Sequence, residues 1–494
     1  MRLSHRPLPR TLARLLALLL ALSLTSQPVA AQSMSVLRDT ETEALLQDMV
    51  DPLAEAAGLG AGSVDVVLLN DPSINAFVAG GQRIFVHSGL INAAGSANEV
   101  QGVLAHELGH ITGGHINRMS EGMGNATRIT LLSALLAVGA ALAGGGEAAM
   151  GVLAAGQQAA MGNFLAFSRT QEASADAAGL DYMQCAEVDA HGLVTFFERL
   201  QNLEYRRAIR QDAEAGYSRT HPLTGDRIAR LEDELARRSQ GLPPSADLSA
   251  SITGGPAVPG AQQVVNAAAS CAYHPAPPDP DLEARFQLVR AKLFGYLAPA
   301  ERTLATYPPS MTDAPARYAR AYAYHKDALM DQALAETDAL IASDPDYPYF
   351  YELRGQILLE SGRVQDSLDP LRTATRLSQS TPLIASMLGH ALIATEDPAN
   401  LDEAESVLRA AVGRDRENPF AWYQLGVVYG QRGDVPRARL ASAEQQVMSG
   451  NPQGALMNAQ AAESALPMGS PDWLRAQDVT LQARGLLERQ RDRN

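Results

Sequence analysis

The 494-residue sequence predicts two architectures in series: an α+β domain built round a metal-binding helix, then an all-α solenoid of stacked helical hairpins. Two observations predict the first. The stretch Ser96–His110 reads S-A-N-E-V-Q-G-V-L-A-H-E-L-G-H, and short apolar strands precede it. The third observation, a 34-residue period in the C-terminal part, predicts the second. The expected divisions are 1–31, 32–240, 241–280 and 281–494.

Residues 1–31 read as a secretory signal. Arg2, Arg6, Arg10 and Arg14 make a basic start, Leu15–Leu24 is a short apolar run, and Val29-Ala30-Ala31 is a small-residue cleavage site. Cleavage is expected after Ala31. No cysteine follows it, so a lipid anchor is not expected. The form of the signal points to the bacterial periplasm. Removing its four arginines leaves 36 basic against 55 acidic residues, a net charge near −19. Such an acidic chain is not expected to bind nucleic acid. Cys185 and Cys271 are the two cysteines, and an oxidising compartment would let them pair. Two buried thiols are the alternative.

Ser35–Leu59 reads as an amphipathic helix. Val64–Asn70, Asn75–Ala79 and Arg83–His87 read as strands, with Gly80-Gly81 as a turn. The strand Asn75–Ala79 is either an internal strand or an edge to which an extended peptide could add. A short helix near Ser88–Ala93 leads to the motif helix. There Ser96 and Glu99 form a capping box, and Val100, Val103, Leu104, Leu108 and Ile111 make an apolar stripe.

His106 and His110 are four residues apart and share a helical face. Two neutral imidazoles suit two corners of a tetrahedral Zn²⁺, and Glu107 beside them can take a proton from water. This is the H-E-x-x-H arrangement of metallopeptidases. A third ligand is expected in Ser168–Leu180, where Glu172 and Asp176 share a face. Glu172 is the candidate ligand, and Asp176 the acceptor that orients a ligand histidine. The spacing H-E-x-x-H-x-x-G-x-x-H fails, because Ile116 stands where its last histidine belongs. His115, one residue off, would point elsewhere on a continuing helix, as a surface group or a support to the ligands.

Ile129–Ala143 is apolar, and Ala/Gly-rich sequence continues to about Ala166. A spanning helix needs about 20 apolar residues, so residues 129–166 read either as a buried helical hairpin or as a membrane-surface contact. Glu204–Arg219 is a polar candidate loop. It ends in Thr220-His221-Pro222, with His221 placed to reach the metal or a developing oxyanion.

Leu242–Pro280 is a Pro/Gly/Ala-rich linker. Beyond it Ala321, Gly355 and Gly389 are spaced by 34 residues, and Gly426 follows 37 later, after an insertion around Asp397–Leu401. Trp422-x-x-Leu425-Gly426-x-x-Tyr429 is close to the tetratricopeptide pattern, and Pro345, Pro382, Pro419 and Pro452 punctuate the units. Four units are expected, with a degenerate one in Leu282–Tyr307.

A signal, H-E-L-G-H, E-x-x-x-D, T-H-P-x-x-x-x-R and a tetratricopeptide tail, in that order, resemble the BepA-type periplasmic metalloprotease–chaperones, within the Ste-type and HtpX-type zinc peptidases. Asn75–Leu90 also looks like that family's segment ahead of the motif helix. The resemblance implies an α+β zincin-like (gluzincin) metallopeptidase domain followed by a tetratricopeptide solenoid. It implies one Zn²⁺ per chain on His106, His110 and Glu172, with Glu107 as general base. His221 matches the histidine that can take the fourth zinc position and silence the enzyme, and Arg227 matches a nearby arginine of the active site. It also implies unfolded or misassembled outer-membrane proteins as substrates and the β-barrel assembly machinery as partner. A non-proteolytic chaperone working through its repeats is the rival reading.

Overall fold

The computed structural model describes residues 35–142, 146–208, 221, 225–242, 271 and 277–492. The signal, most of the linker and residues 209–219 of the expected loop lie outside the described residues, and 204–208, expected as the start of that loop, continue a helix instead.

Helix α1 (Thr40–Ala56) begins where Asp39 accepts a hydrogen bond from the Thr42 amide at 2.8 Å. It starts later than expected, because residues 35–37 are bound to the neighbouring strand instead. Leu37 N donates to Leu68 O, and Val36 bridges Leu69. Strands β1 (Asp65–Leu69), β2 (Ala76–Ala79) and β3 (Arg83–His87) form a sheet of order β1-β3-β2. The β1–β3 pairing is parallel and β2–β3 antiparallel, so β2 is an edge. Gly80 and Gly81 make the β2–β3 turn at φ 65° and 101°, which side chains beyond glycine resist.

Helices α2 (Ser88–Ala93) and α3 (Ala97–Thr112) follow, then the long pair α4 (His115–Leu142) and α5 (Gly146–Cys185), then α6 (His191–Ala208) and α7 (Gly225–Ser239). Helix α5 runs unbroken for 40 residues, from the Ala/Gly-rich stretch through Glu172 and Asp176. Met49, Leu104, Leu108, Phe196, Phe197 and Leu231 lie in one buried core. Cys185, at the end of α5, is bridged to Cys271 with their Cα atoms 5.3 Å apart.

The solenoid begins with α8 (Pro280–Leu297), which belongs to both halves. Its Leu282, Phe286, Val289 and Leu293 complete the first domain's core. After α9 (Ala300–Thr306) come five helical pairs. They are α10 (Ala314–Lys326) with α11 (Met330–Ser343), α12 (Pro348–Glu360) with α13 (Val364–Leu377), and α14 (Pro382–Ala394) with α15 (Leu401–Arg414). Next are α16 (Pro419–Gln431) with α17 (Val435–Met448), and α18 (Pro452–Ala465) with α19 (Pro471–Arg491). The 34-residue glycines have a packing cause. A Cβ on Gly355 or Gly389 would sit 2.5 Å from Leu371 Cγ or Leu408 Cγ, so the close approach of the paired helices there requires glycine. The three-residue insertion forms a 3₁₀ turn, Pro398–Asn400.

A buried polar cluster joins the halves. Lys292 on α8 lies 2.5 Å from Asp39 and 3.0 Å from Glu41. Glu41 also accepts hydrogen bonds from the Tyr318 and Tyr347 hydroxyls at 2.7 and 2.6 Å. Further along the solenoid Arg38 pairs with Asp415 at 3.1 Å. Burial opposes the charge on Lys292, yet Asp39 and Glu41 outweigh it and hold the ammonium well above its ordinary range.

Candidate metal centre

The centre is built on α3. Ser96 accepts from the Glu99 amide at 3.2 Å, the expected N-cap. Glu99 reaches back one residue further than expected, to Gly95 N at 2.7 Å, because Arg199 on α6 grips its carboxylate at 2.8–3.1 Å. Residues 99–110 are buried throughout. Glycine permits the close approach of α5: a Cβ on Gly109 would stand 2.7 Å from Ala175 O. That approach brings Glu172 over the two histidines.

His106, His110, Glu172 and His221 converge with one ligand atom each within 4.8 Å of the others. His106 Nε2 lies 3.1 Å from His110 Nε2 and 3.3 Å from His221 Nδ1. Glu172 oxygens lie 3.1 and 3.2 Å from His221 Nδ1, and 3.5 Å from each of the other two histidines. A tetrahedral zinc with bonds of about 2.0–2.1 Å has ligand–ligand edges of about 3.3–3.4 Å. The spacing matches that edge, and three nitrogens and a carboxylate are a donor set that suits the ion.

The surroundings hold these groups in place. Asp176 Oδ1 is 3.0 Å from His106 Nδ1. Arg227 grips Asp176 through two bonds, at 2.8 and 2.7 Å, and reaches Glu172 at 3.0 Å. Its guanidinium lies 4.9 Å over the Phe197 ring. Arg227, expected as an arginine of the active site, is thus turned toward two carboxylates. On the other side, His115 Nδ1 is 2.9 Å from His110 Nδ1.

His115 takes the second of its two expected places, as a support to the ligands, but by a route helical spacing did not show. The reading assumed a continuing helix, but α3 ends at Thr112 and Gly114 turns the chain at φ 62°. His115 therefore folds back, buried, against His110. A Cβ on Gly113 would fall 2.2 Å from its Nε2. The Gly-Gly pair was the available signal. Phe197 carried none, being one apolar residue among many on α6.

Burial makes the electrostatics sharp. Burial works against a proton on His106, yet Asp176 and Glu172 prevail and raise it to about 9. Burial and the neighbouring His106 push His110 well below its usual range. Burial brings His115 down to about 4. Glu172 stays well below the carboxylate range despite burial, held by His106 and His221. Burial opposes the charge on Asp176, but Arg227 outweighs it and lowers the carboxyl. Glu107 goes the other way: burial raises it, and neither of its oxygens has a hydrogen-bond partner among the described residues. One oxygen is 3.5 Å from His221 Nε2. An enclosed carboxylate without a hydrogen bond, beside a convergent donor set, is a kind of group found more often in functional sites than in structural cores.

Residues 40–235 match the model of peptidase family M48, and residues 318–382 and 387–451 match a tetratricopeptide repeat model. The chain is 23% identical over 435 residues to the beta-barrel assembly-enhancing protease of Escherichia coli K12, covering 85% of this chain and 79% of that one. It is 32% identical over 166 residues to metalloprotease LoiP of the same organism, covering 33% of this chain and 59% of the relative. It is 29% identical over 168 residues to the mitochondrial metalloendopeptidase OMA1 of Schizosaccharomyces pombe, covering 34% and 45%. The chain therefore carries an M48 metallopeptidase domain followed by tetratricopeptide repeats.

Proposed function

We propose that this M48 peptidase is a zinc endopeptidase that His106, His110 and Glu172 equip with its metal and Glu107 with its base. The observation that carries the reading is the buried Glu107 carboxylate, without a hydrogen bond among the described residues, beside four converging ligand groups. Zinc, when bound, supplies Lewis-acid polarisation of the scissile carbonyl and acidifies water at neutral pH. Glu107 takes the proton of the attacking water and passes it to the leaving amine. Asp176 fixes the ring of His106, and Arg227 fixes both Asp176 and Glu172. Edge strand β2, beside α3, offers backbone groups to an extended substrate.

His221 supplies the fourth donor and closes the site, which opens when substrate displaces it. Its Nδ1 faces the ligand cluster, which favours the closing role over an oxyanion role.

Substrates are unfolded or misassembled envelope proteins of the bacterial periplasm. The N-terminal signal supports that location, and the relative's name, beta-barrel assembly-enhancing protease, supports barrel proteins and their assembly machinery as partners. The repeats provide a cleft of about 620 Å³, lined by Tyr296, Tyr322, Leu359, Met387, His390 and Phe420 and closed on one side by residues 37–40. A complete donor set with a base in place favours hydrolysis over a purely chaperone role.

The test is Glu107→Gln, with zinc content and casein cleavage measured together. Zinc should remain at one per chain while kcat/KM falls by about 10²–10⁴, the usual contribution of a positioned base. Normal cleavage by a pure variant overturns the assignment.

A further inference from the structure

The far end of the α4–α5 hairpin is a surface that peptide hydrolysis does not require. Leu131, Leu132, Leu135 and Leu136 are 61, 60, 71 and 59% exposed, and Met150 and Met161 are 68 and 59% exposed. At 100° per residue, the four leucines fan across about 140° of α4. The side facing α5 is lined by small residues. Ser133, Ala137 and Ala160 are buried there, and a Cβ on Gly156 would meet Ser133 at 2.1 Å.

This is the reverse of a hairpin built for water, which buries its leucines between the helices and leaves polar groups outside. Small residues inside and large apolar residues outside is the arrangement of helices packed within lipid. A protein partner would need an apolar stripe on one side only.

The charge pattern gives a depth. From Ile129 to Ser168, 40 residues carry a single charge, Glu147. Exposed Arg128 and Arg169 stand at the two limits of that stretch. Neither is in an ion pair among the described residues. From Arg128 to the end of α4 at Leu142 is about 21 Å at 1.5 Å per residue. That exceeds half of a hydrocarbon core of about 30 Å but not the whole. Among the described residues no helix is long and apolar enough to cross a membrane. The dimensions and charges suit insertion into one leaflet, with arginines at the phosphates.

We propose that the α4–α5 hairpin dips into the surface of a phospholipid bilayer, its leucines in the hydrocarbon and Arg128 and Arg169 against lipid phosphates. Glu172 is one turn beyond Arg169 on α5. Insertion therefore holds the metal centre at the membrane surface, independently of which substrate it takes.

The test uses the zinc-loaded mature chain, floated with vesicles of phosphatidylethanolamine and phosphatidylglycerol. It is compared with Leu131→Asn/Leu135→Asn/Leu136→Asn. The wild type should float, and the triple variant should lose partitioning about a hundredfold or more, at unchanged melting temperature and zinc content. A Leu135→Cys variant carrying an environment-sensitive fluorophore should shift to the blue and be quenched by brominated acyl chains. Equal flotation of wild type and triple variant overturns the proposal. So does a wild type that stays with the buffer, whether monomeric or self-associated through the leucines.

Discussion

Replacing Lys292 by methionine probes the joint between the two halves of the chain. The methionine keeps most of the stem's volume and removes only the ammonium. Lys292 is 4% exposed and Glu41 2%. Its ammonium lies 2.5 Å from Asp39 and 3.0 Å from Glu41. With an effective dielectric of about 20, one such pair at 3 Å attracts by about 5–6 kcal/mol, opposed by the cost of drying three charges. The variant leaves buried Glu41 and half-buried Asp39 without their cation. The expected loss is about 3–5 kcal/mol of unfolding free energy near pH 7. Urea denaturation followed by circular dichroism reads it, on wild type, Lys292→Met, Glu41→Gln and the double variant. The double variant should lose less than the sum of the singles, with a coupling of about 1–3 kcal/mol. A Lys292→Met loss below about 0.5 kcal/mol, the range of an ordinary surface change, refutes the reasoning. Strict additivity refutes it too.

Three further expectations follow from the same contacts. His221→Ala should keep its zinc on the other three ligands and cleave casein faster than wild type; an inactive, zinc-loaded variant would make His221 catalytic and end the closing role. The bridge between Cys185 and Cys271 spans a sequence separation of 86 residues, so the Cys185→Ala/Cys271→Ala pair should lose about 2–4 kcal/mol in denaturant, and an unchanged midpoint would contradict this. Burial raises the Glu352 carboxyl to about 8 against the pull of Lys292, so the folded chain binds this proton more tightly than the unfolded chain. The resulting stability is complete below about 4.5 and is lost as pH rises toward 8. Glu352→Gln should therefore gain melting temperature relative to wild type across that interval, and a difference independent of pH would rule the effect out.

What the sequence made legible was whatever a single helix encodes. His106 and His110 declare themselves by spacing, and Glu172 with Asp176 by a shared face. The 34-residue glycines mark where paired helices touch. Contacts made after the chain turns were hidden. His115 depends on the Gly113-Gly114 turn, which reverses a direction that helical periodicity had assigned. Arg227 was placed near the reaction, but its partners Asp176 and Glu172 lie on α5, and only the packed structure shows it spent on them. Likewise α8 reads as the start of the solenoid, yet its apolar face completes the first domain's core. That choice is made by shape, which no local pattern records.

The cluster round Glu41 also sets a timetable. Glu41 stands near the start of α1, while Lys292 comes 251 residues later and Tyr347 306 residues later. At synthesis rates of about 5–20 residues per second, the last of these partners emerges roughly 15–60 s after Glu41. Through that interval α1 cannot reach its native surroundings, however quickly the strands beside it form. A nascent chain halted anywhere before Tyr347 therefore carries an unfinished first domain, even with every metal-binding residue already made.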